Sequence, residues 1–200
     1  MLDWITNIIS SLGYVGIALL MFLENLFPPI PSELIMPLAG FTVTQGKLDL
    51  QIVILAGTLG SVFGALPWYY VGKLVSEARL RNWINKHGKW LTLSISDIDK
   101  SKRWMRKYGN AVIFFGRLIP GIRTFISVPA GLDQMPLIPF ILYSFAGSLL
   151  WTAILAYAGF ILGNNFQLVE KYVGPLSVII IAAMILFLII SFVSRQSRQN

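Results

Sequence analysis

Residues 114–131 read FFGRLIPGIRTFISVPAG. Arg117 and Arg123 stand there among apolar and small residues, separated by a Pro120-Gly121 step. Proline removes a backbone donor and clashes with the preceding turn, so a helix running through this stretch has to break at Pro120. Two permanent charges therefore flank a broken apolar helix. The surroundings identify the solvent. The chain is 56% hydrophobic and 12% charged, whereas soluble domains carry about 25% charged residues. No Asp, Glu, Lys or Arg occurs in 50–72, 134–169 or 172–194, and each run is long enough to cross a hydrocarbon layer of about 30 Å. The sequence predicts an all-α integral membrane protein.

Working outward, 108–131 has an earlier counterpart. YVGIALLMFLENLFPPIPSELIMPLAG (14–40) and YGNAVIFFGRLIPGIRTFISVPAG (108–131) follow the same course. Each begins with Tyr, runs through an apolar arm to a charged residue, breaks at proline, presents a second charge and returns to Ala-Gly. A long uncharged segment follows each, opening with AGTLG (56–60) or AGSLL (146–150). An arm of ten to fourteen residues spans roughly 15–21 Å, too short to cross. Each half thus reads as a re-entrant helical hairpin plus a transmembrane helix. The breaks are Pro28, Pro29 and Pro31 in the first hairpin and Pro120 and Gly121 in the second. Free backbone groups at such breaks are tolerable only inside protein or beside a wet cavity, so the hairpin tips are expected to meet in the interior.

Charge sets the orientation. Residues 73–107 hold ten Lys and Arg against Glu77, Asp97 and Asp99. Between spanning segments such a loop is cytoplasmic by the positive-inside rule, and Arg195 and Arg198 place the C-terminus on the same side. The loop's patterning (Leu80, Trp83, Ile84 and His87; then Ile98, Met105 and Tyr108, ending at Gly109) predicts interfacial amphipathic helices. By parity the spans on either side run in opposite directions, so the two halves form an inverted repeat, an arrangement that places transporter sites at mid-membrane between broken helices. The expected organisation is one membrane domain: 1–72 the first repeat, 73–107 the basic segment, 108–163 the second repeat and 170–195 an extra C-terminal transmembrane helix. Residues 3–12 read as an amphipathic piece, with 4–27 as one continuous span the alternative. The opening MLDWITNIISS lacks a basic n-region and a small-residue cleavage site, so no cleaved leader is expected. With no cysteine in the chain, disulfides and thiolate metal sites are excluded; neither a cofactor nor a metal is expected, nor nucleic acid as partner.

The hairpins carry Glu24, Glu33, Arg117 and Arg123. An ionised side chain at the bilayer centre costs about 2.5–3.5 kcal/mol even on the lenient scale, so these four must neutralise one another or serve a charged ligand. Guanidiniums offer planar paired donors that match phosphate oxygens, and helix N-termini at the breaks favour anions. A lipid phosphate suits such a site, its head in the wet cavity and its tail in the bilayer. Arg117 and Arg123 are the expected phosphate ligands. Glu24 and Glu33 are the expected proton-exchanging, charge-balancing groups, on which burial and the arginines act in opposite directions. The run Gly57, Gly60, Gly64 and Gly72 suggests close helix packing; Trp68, Trp90, Trp104 and Trp151 read as interface anchors or packing, and Tyr69, Tyr70 and Tyr157 as candidate cavity lining.

At these residues the sequence resembles the DedA family, the VTT or SNARE-associated domain proteins. The resemblance rests on LEN (23–25), P-x-P-S-E (29–33), GRLIPGIRT (116–124), PAG (129–131) and the Gly- and Tyr-bearing spans, and covers about residues 10–165. It implies a lipid transporter of a bacterial cytoplasmic membrane, in bacteria often for undecaprenyl phosphate, dependent on the proton-motive force. It puts functional weight on the positions of Glu24, Glu33, Arg117 and Arg123; at the second acid many relatives have Asp. Ordinary phospholipids such as phosphatidylethanolamine are the alternative substrates, and a homo-oligomer stays open. An enzyme is the rival class: PGIRT (120–124) is similar to the PG-x-SR segment of polyprenyl-pyrophosphate phosphatases, although the serine before the arginine is missing. A structural, chaperone-like membrane protein and a channel are the remaining readings.

Overall fold

The computed structural model describes residues 2–26, 32–75, 99, 103–105, 107–120 and 122–163. The breaks at Pro28, Pro29, Pro31 and Gly121, most of the basic segment and the 170–195 span lie outside the described residues. What is described is helical: α1 (Leu2–Leu26), α2 (Ser32–Thr44), α3 (Leu50–Leu74), α4 (Ala111–Arg117), α5 (Ile122–Phe125), α6 (Ser127–Leu132) and α7 (Leu137–Leu162). Three segments, Trp4–Leu26, Leu50–Leu74 and Leu137–Leu162, are long and apolar enough to cross a membrane. Their outer faces stay apolar and uncovered, as at Phe63 on α3 and Ile138 and Leu142 on α7. The protein is a membrane protein.

Gly13 marks a kink near the N-terminus. Its φ of 56° and ψ of −129° interrupt α1, a conformation open to glycine because it has no Cβ. Before the interruption, Ile5 and Ile9 are buried while Trp4 and Leu12, expected on the same apolar side, are exposed. After it, residues 14–26 form an arm of about 20 Å. Tyr14, the first residue of that arm, accepts a hydrogen bond from the Asp49 backbone N–H at 2.8 Å. Asp49 in turn caps α3: its Oδ1 accepts from the N–H groups of Gln51 (2.8 Å) and Ile52 (3.2 Å). Asp49→Ala removes both acceptor bonds and is expected to cost about 0.5–2 kcal/mol, measurable as a lower unfolding temperature in detergent.

The helices cross backbone to backbone. An added Cβ on Gly60 would lie 2.1 Å from the Ala18 carbonyl oxygen, which sets α3 directly on α1. On Gly72 it would meet Val128 O at 2.2 Å, and on Gly131 Tyr69 O at 2.1 Å, which sets α3 on α6. Gly40 against Ala156 O and Gly159 against Pro37 O, both at 2.0 Å, set α2 on α7, and Gly147 against Phe114 O at 2.7 Å sets α4 on α7. The predicted close packing at the glycine run of α3 is present, and small residues let membrane helices approach this closely.

Two apolar clusters result. One joins Ile17, Leu20, Met21, Leu34 and Ile35 to Val53 and Ala56 of α3 and Ala156 of α7. The other joins Val112, Ile113 and Ile126 to Ala65 and Tyr69 of α3 and Phe140 of α7. Between these positions, α3 and α7 carry buried polar residues among glycines and Val62: Thr58 and Ser61, then Ser144, Ser148 and Thr152. The polar layer falls at the middle of both spanning helices.

Two expectations change. The segment between α4 and α6, expected to be a hairpin tip, is not enclosed: Ile119, Pro120, Ile122 and Phe125 are exposed. The backbone tolerates this because it is bonded locally, from Ile119 N to Gly116 O (3.4 Å), Ile122 N to Ile119 O (3.2 Å) and Arg123 N to Ile119 O (3.1 Å). Only the inner face of the turn, with Arg123 and Thr124, is buried. In the basic segment Gly109 ends the preceding turn at φ 58°, its N–H donating to Met105 O at 2.8 Å. Met105 is buried but Tyr108 is exposed, so the two do not share a buried face.

Candidate functional site in the buried polar layer

α1 and α3 bring Glu24, Asn25 and Ser61; α2 brings Ser32; α4, α5 and α6 bring Arg117, Arg123 and Ser127; α7 brings Ser144 and Ser148. All are buried. Arg123 and Glu24, 99 residues apart, form an ion pair through Nη2 and Oε2. The Arg123 Nη1 donates to Ser32 Oγ at 2.8 Å, and the same hydroxyl accepts from Trp151 Nε1 at 3.4 Å and donates to Glu33 Oε2 at 3.4 Å. That hydroxyl is saturated, with one proton given and two accepted.

Arg117 is treated differently. It is 1% exposed, and among the described residues no carboxylate pairs with it. Its Nη1 donates to the Arg123 carbonyl oxygen at 2.9 Å and to Asn25 Oδ1 at 3.4 Å. Its Nη2 donates to Ser127 Oγ at 3.1 Å and Ser144 Oγ at 3.2 Å. The Phe140 ring lies 5.8 Å from the guanidinium carbon, within range of a cation–π attraction. The Nε atoms of both arginines are buried and have no partner among the described residues.

A hydroxyl seam continues from this cluster. Asn25 Nδ2 donates to Ser61 Oγ at 2.7 Å, Ser61 and Ser148 share a bond at 3.4 Å, and Thr58 and Thr152 share one at 2.9 Å. The seam joins α3 to α7 at mid-length. Such contacts satisfy polar groups that hydrocarbon would leave stranded.

Of the predicted residues, Glu24, Arg117 and Arg123 come together. Glu33 is half-buried and bonds to Ser32 rather than to an arginine among the described residues, so two matched Glu–Arg pairs are not what forms. The reason is placement: Glu33 follows Ser32 in the first turn of α2, and the serine lies between it and Arg123. Pro120 is exposed, outside the cluster. Tyr70 and Tyr157 are exposed, and Tyr69, fully buried, donates to Met135 O at 2.6 Å; none of the three faces the charged cluster. Trp68 is no mere anchor, since its Nε1 donates to Asn25 O at 3.0 Å. Sequence reasoning missed Asn25 and the serines. The available signal was the recurrence of Ser144, Ser148 and Thr152 every fourth residue in a charge-free helix, which puts a polar stripe on one face.

Comparison with known proteins identifies the family. The VTT domain family model matches residues 30–161. The chain is 40% identical over 185 residues to an "alkaline phosphatase-like protein" of Lactococcus lactis subsp. cremoris, covering 92% of this chain and 86% of that one. It is 35% identical to undecaprenyl phosphate transporter A of Staphylococcus aureus (92% and 93% covered). With the transporter of the same name from Bacillus subtilis the identity is 31% (94% and 91% covered). No solved structure gives a significant match. With its helical membrane architecture and this extent of similarity, the chain belongs to the VTT domain, or DedA, family.

Proposed function

We propose that this chain is a membrane transporter that carries a lipid phosphate, undecaprenyl phosphate being the foremost candidate, across a bacterial cytoplasmic membrane. One observation carries the reading: two buried guanidiniums, only one of them matched by a carboxylate among the described residues, lie in a polar layer at the middle of apolar helices of spanning length. Two cations against one carboxylate leave a net positive charge in the cluster, which is expensive in lipid and calls for an anion. Phosphate supplies it, and guanidiniums bind phosphate with paired charge-assisted bonds. The relatives named as undecaprenyl phosphate transporters support the same substrate class.

The helix contacts support the inverted repeat and the re-entrant hairpins. Each outward arm packs on the span that follows it, α1 on α3 and α4 on α7, whereas each return arm packs on the span of the other half, α2 on α7 and α6 on α3. The contacts of Gly40 with Ala156 and of Pro37 with Gly159 correspond to those of Gly131 with Tyr69 and of Val128 with Gly72. One offset maps 37 and 40 onto 128 and 131, and a second maps 69 and 72 onto 156 and 159. The whole forms one membrane domain with 73–107 on the cytoplasmic side.

Glu24 neutralises Arg123. A phosphate displaces that carboxylate, and a proton taken up by Glu24 keeps the site from gathering excess negative charge, so that proton and lipid move together. Glu33, beside Ser32, is the second candidate proton site. The test is transport of undecaprenyl phosphate and of phosphatidylethanolamine by reconstituted protein under an imposed proton gradient. The polyprenyl phosphate is expected to move, faster with the gradient. Equal rates with and without it would end the proton coupling, and movement of phosphatidylethanolamine alone would replace the substrate.

One observation favours a phosphatase as the second reading: Ser32 lies beside both a carboxylate, Glu33, and a guanidinium, Arg123, and the Lactococcus relative carries a phosphatase-like name. Inorganic phosphate released from polyprenyl phosphate by the purified protein would select it.

A further inference from the structure

We infer that the two arginines divide the work: Arg123 alone exchanges its carboxylate for the substrate phosphate, and Arg117 is a positioning residue that holds Arg123 in place. The inference rests on the lipid-phosphate reading and refines it. A guanidinium has five N–H donors. In Arg117 the four on the terminal nitrogens face four neutral acceptors: Asn25 Oδ1, the Arg123 carbonyl, Ser127 Oγ and Ser144 Oγ. These bonds cross the break in the second hairpin, tying the outward arm to the return segment, and reach α1 and α7. To take a phosphate, Arg117 would have to release bonds that fasten the backbone of Arg123 itself.

Arg123 is bonded differently. Among the described residues its terminal nitrogens donate to Ser32 and to the Glu24 carboxylate, and its buried Nε, like that of Arg117, has no partner. Nε and Nη2 lie on one edge of the guanidinium, the edge that can face two oxygens of a carboxylate or phosphate side by side. Glu24 fills half of that edge. The carboxylate occupies the place of one phosphate oxygen, and Nε waits for a second. The Arg117 bond to the Arg123 carbonyl and the Ser32 bond to Nη1 keep the edge aimed at Glu24 whether or not the carboxylate is replaced.

The test uses full-length protein with ¹⁵N-labelled arginine in lipid bilayers, loaded with a short-chain polyprenyl phosphate, with phosphorus–nitrogen dipolar dephasing as the readout. Dephasing by a guanidinium is expected in the wild type, lost in Arg123→Lys and kept in Arg117→Lys. Affinity adds a second measure. Arg117→Lys is expected to weaken binding about tenfold alone and less than about twofold in the Arg123→Lys background, the non-additivity of residues acting through one another. Should Arg117→Lys not fold, Ser144→Ala, which removes one acceptor of Arg117, is expected to keep the dephasing and weaken binding. Dephasing lost with Arg117→Lys, or additive losses of affinity, would overturn the division of roles while leaving the phosphate site. Failure of the wild type to bind polyprenyl phosphate at all would instead overturn the reading on which it rests.

Discussion

Arg123→Gln is expected to cost about 3–5 kcal/mol of stability and to abolish polyprenyl phosphate transport, while the double variant Glu24→Gln/Arg123→Gln recovers most of the stability and none of the transport. The stability loss arises on the other partner. Glu24 is 6% exposed and has its ion pair with Arg123, so the single change leaves a carboxylate buried without its counter-charge. Neutralising it as well removes that penalty, and two amides of similar size can bond to each other in its place. Transport responds differently because neither variant retains the guanidinium edge that would receive the phosphate. Unfolding of both variants in detergent, with transport in proteoliposomes from the same preparations, separates the two effects. Transport surviving in the double variant would remove Arg123 from the substrate path, and an unaltered stability of the single variant would show that the pair contributes nothing to the fold.

Gly40→Ala and Gly159→Ala are expected to be severe, destabilising by the 1–3 kcal/mol or more of overpacking. In each case the new Cβ would lie 2.0 Å from a carbonyl oxygen on the facing helix, Ala156 O or Pro37 O. Backbone cannot rotate aside as a side chain does, so α2 and α7 must separate along their length. Gly57→Ala is the control: its obstacle is the Met36 sulfur at 2.6 Å, at the end of a flexible thioether that can shift, and its cost is expected to stay below about 1 kcal/mol. The crossing also positions the site, since Ser32 at the start of α2 is bonded to Arg123 and to Trp151 of α7. The two severe variants should therefore lose transport even where the fraction still folded is measured separately. Equal losses for all three substitutions would contradict the backbone crossing.

The glycine pattern separates what was legible from what was not. Gly57, Gly60, Gly64 and Gly72 announced close packing without naming partners, and the partners divide among α1, α2 and α6. Gly13 illustrates a case between: sequence left an amphipathic piece and a continuous span both open, and a single positive φ joins them as two helical segments meeting at one residue. The hairpin tip illustrates a physical rule applied too broadly. A break in a membrane helix needs its backbone groups bonded, but among the described residues the N–H groups of Leu118, Ile119, Ile122 and Arg123 are bonded within the turn, which leaves its apolar side chains free to face outward.

By itself the sequence determined that the chain is a helical membrane protein and that a helix is interrupted at Pro120, and it singled out Glu24, Glu33, Arg117 and Arg123 as the charges to watch. These follow from composition and local chemistry: uncharged runs of span length, a residue without an N–H, and ionised groups too costly to sit idle in lipid. Tertiary structure alone decided which charges pair. Glu24 reaches Arg123 across 99 residues while Arg117 is given hydroxyls, an amide and a carbonyl. A serine in an apolar helix looks the same in sequence whether it bonds its own backbone or a guanidinium, and only the convergence of four segments at one depth distinguishes the two.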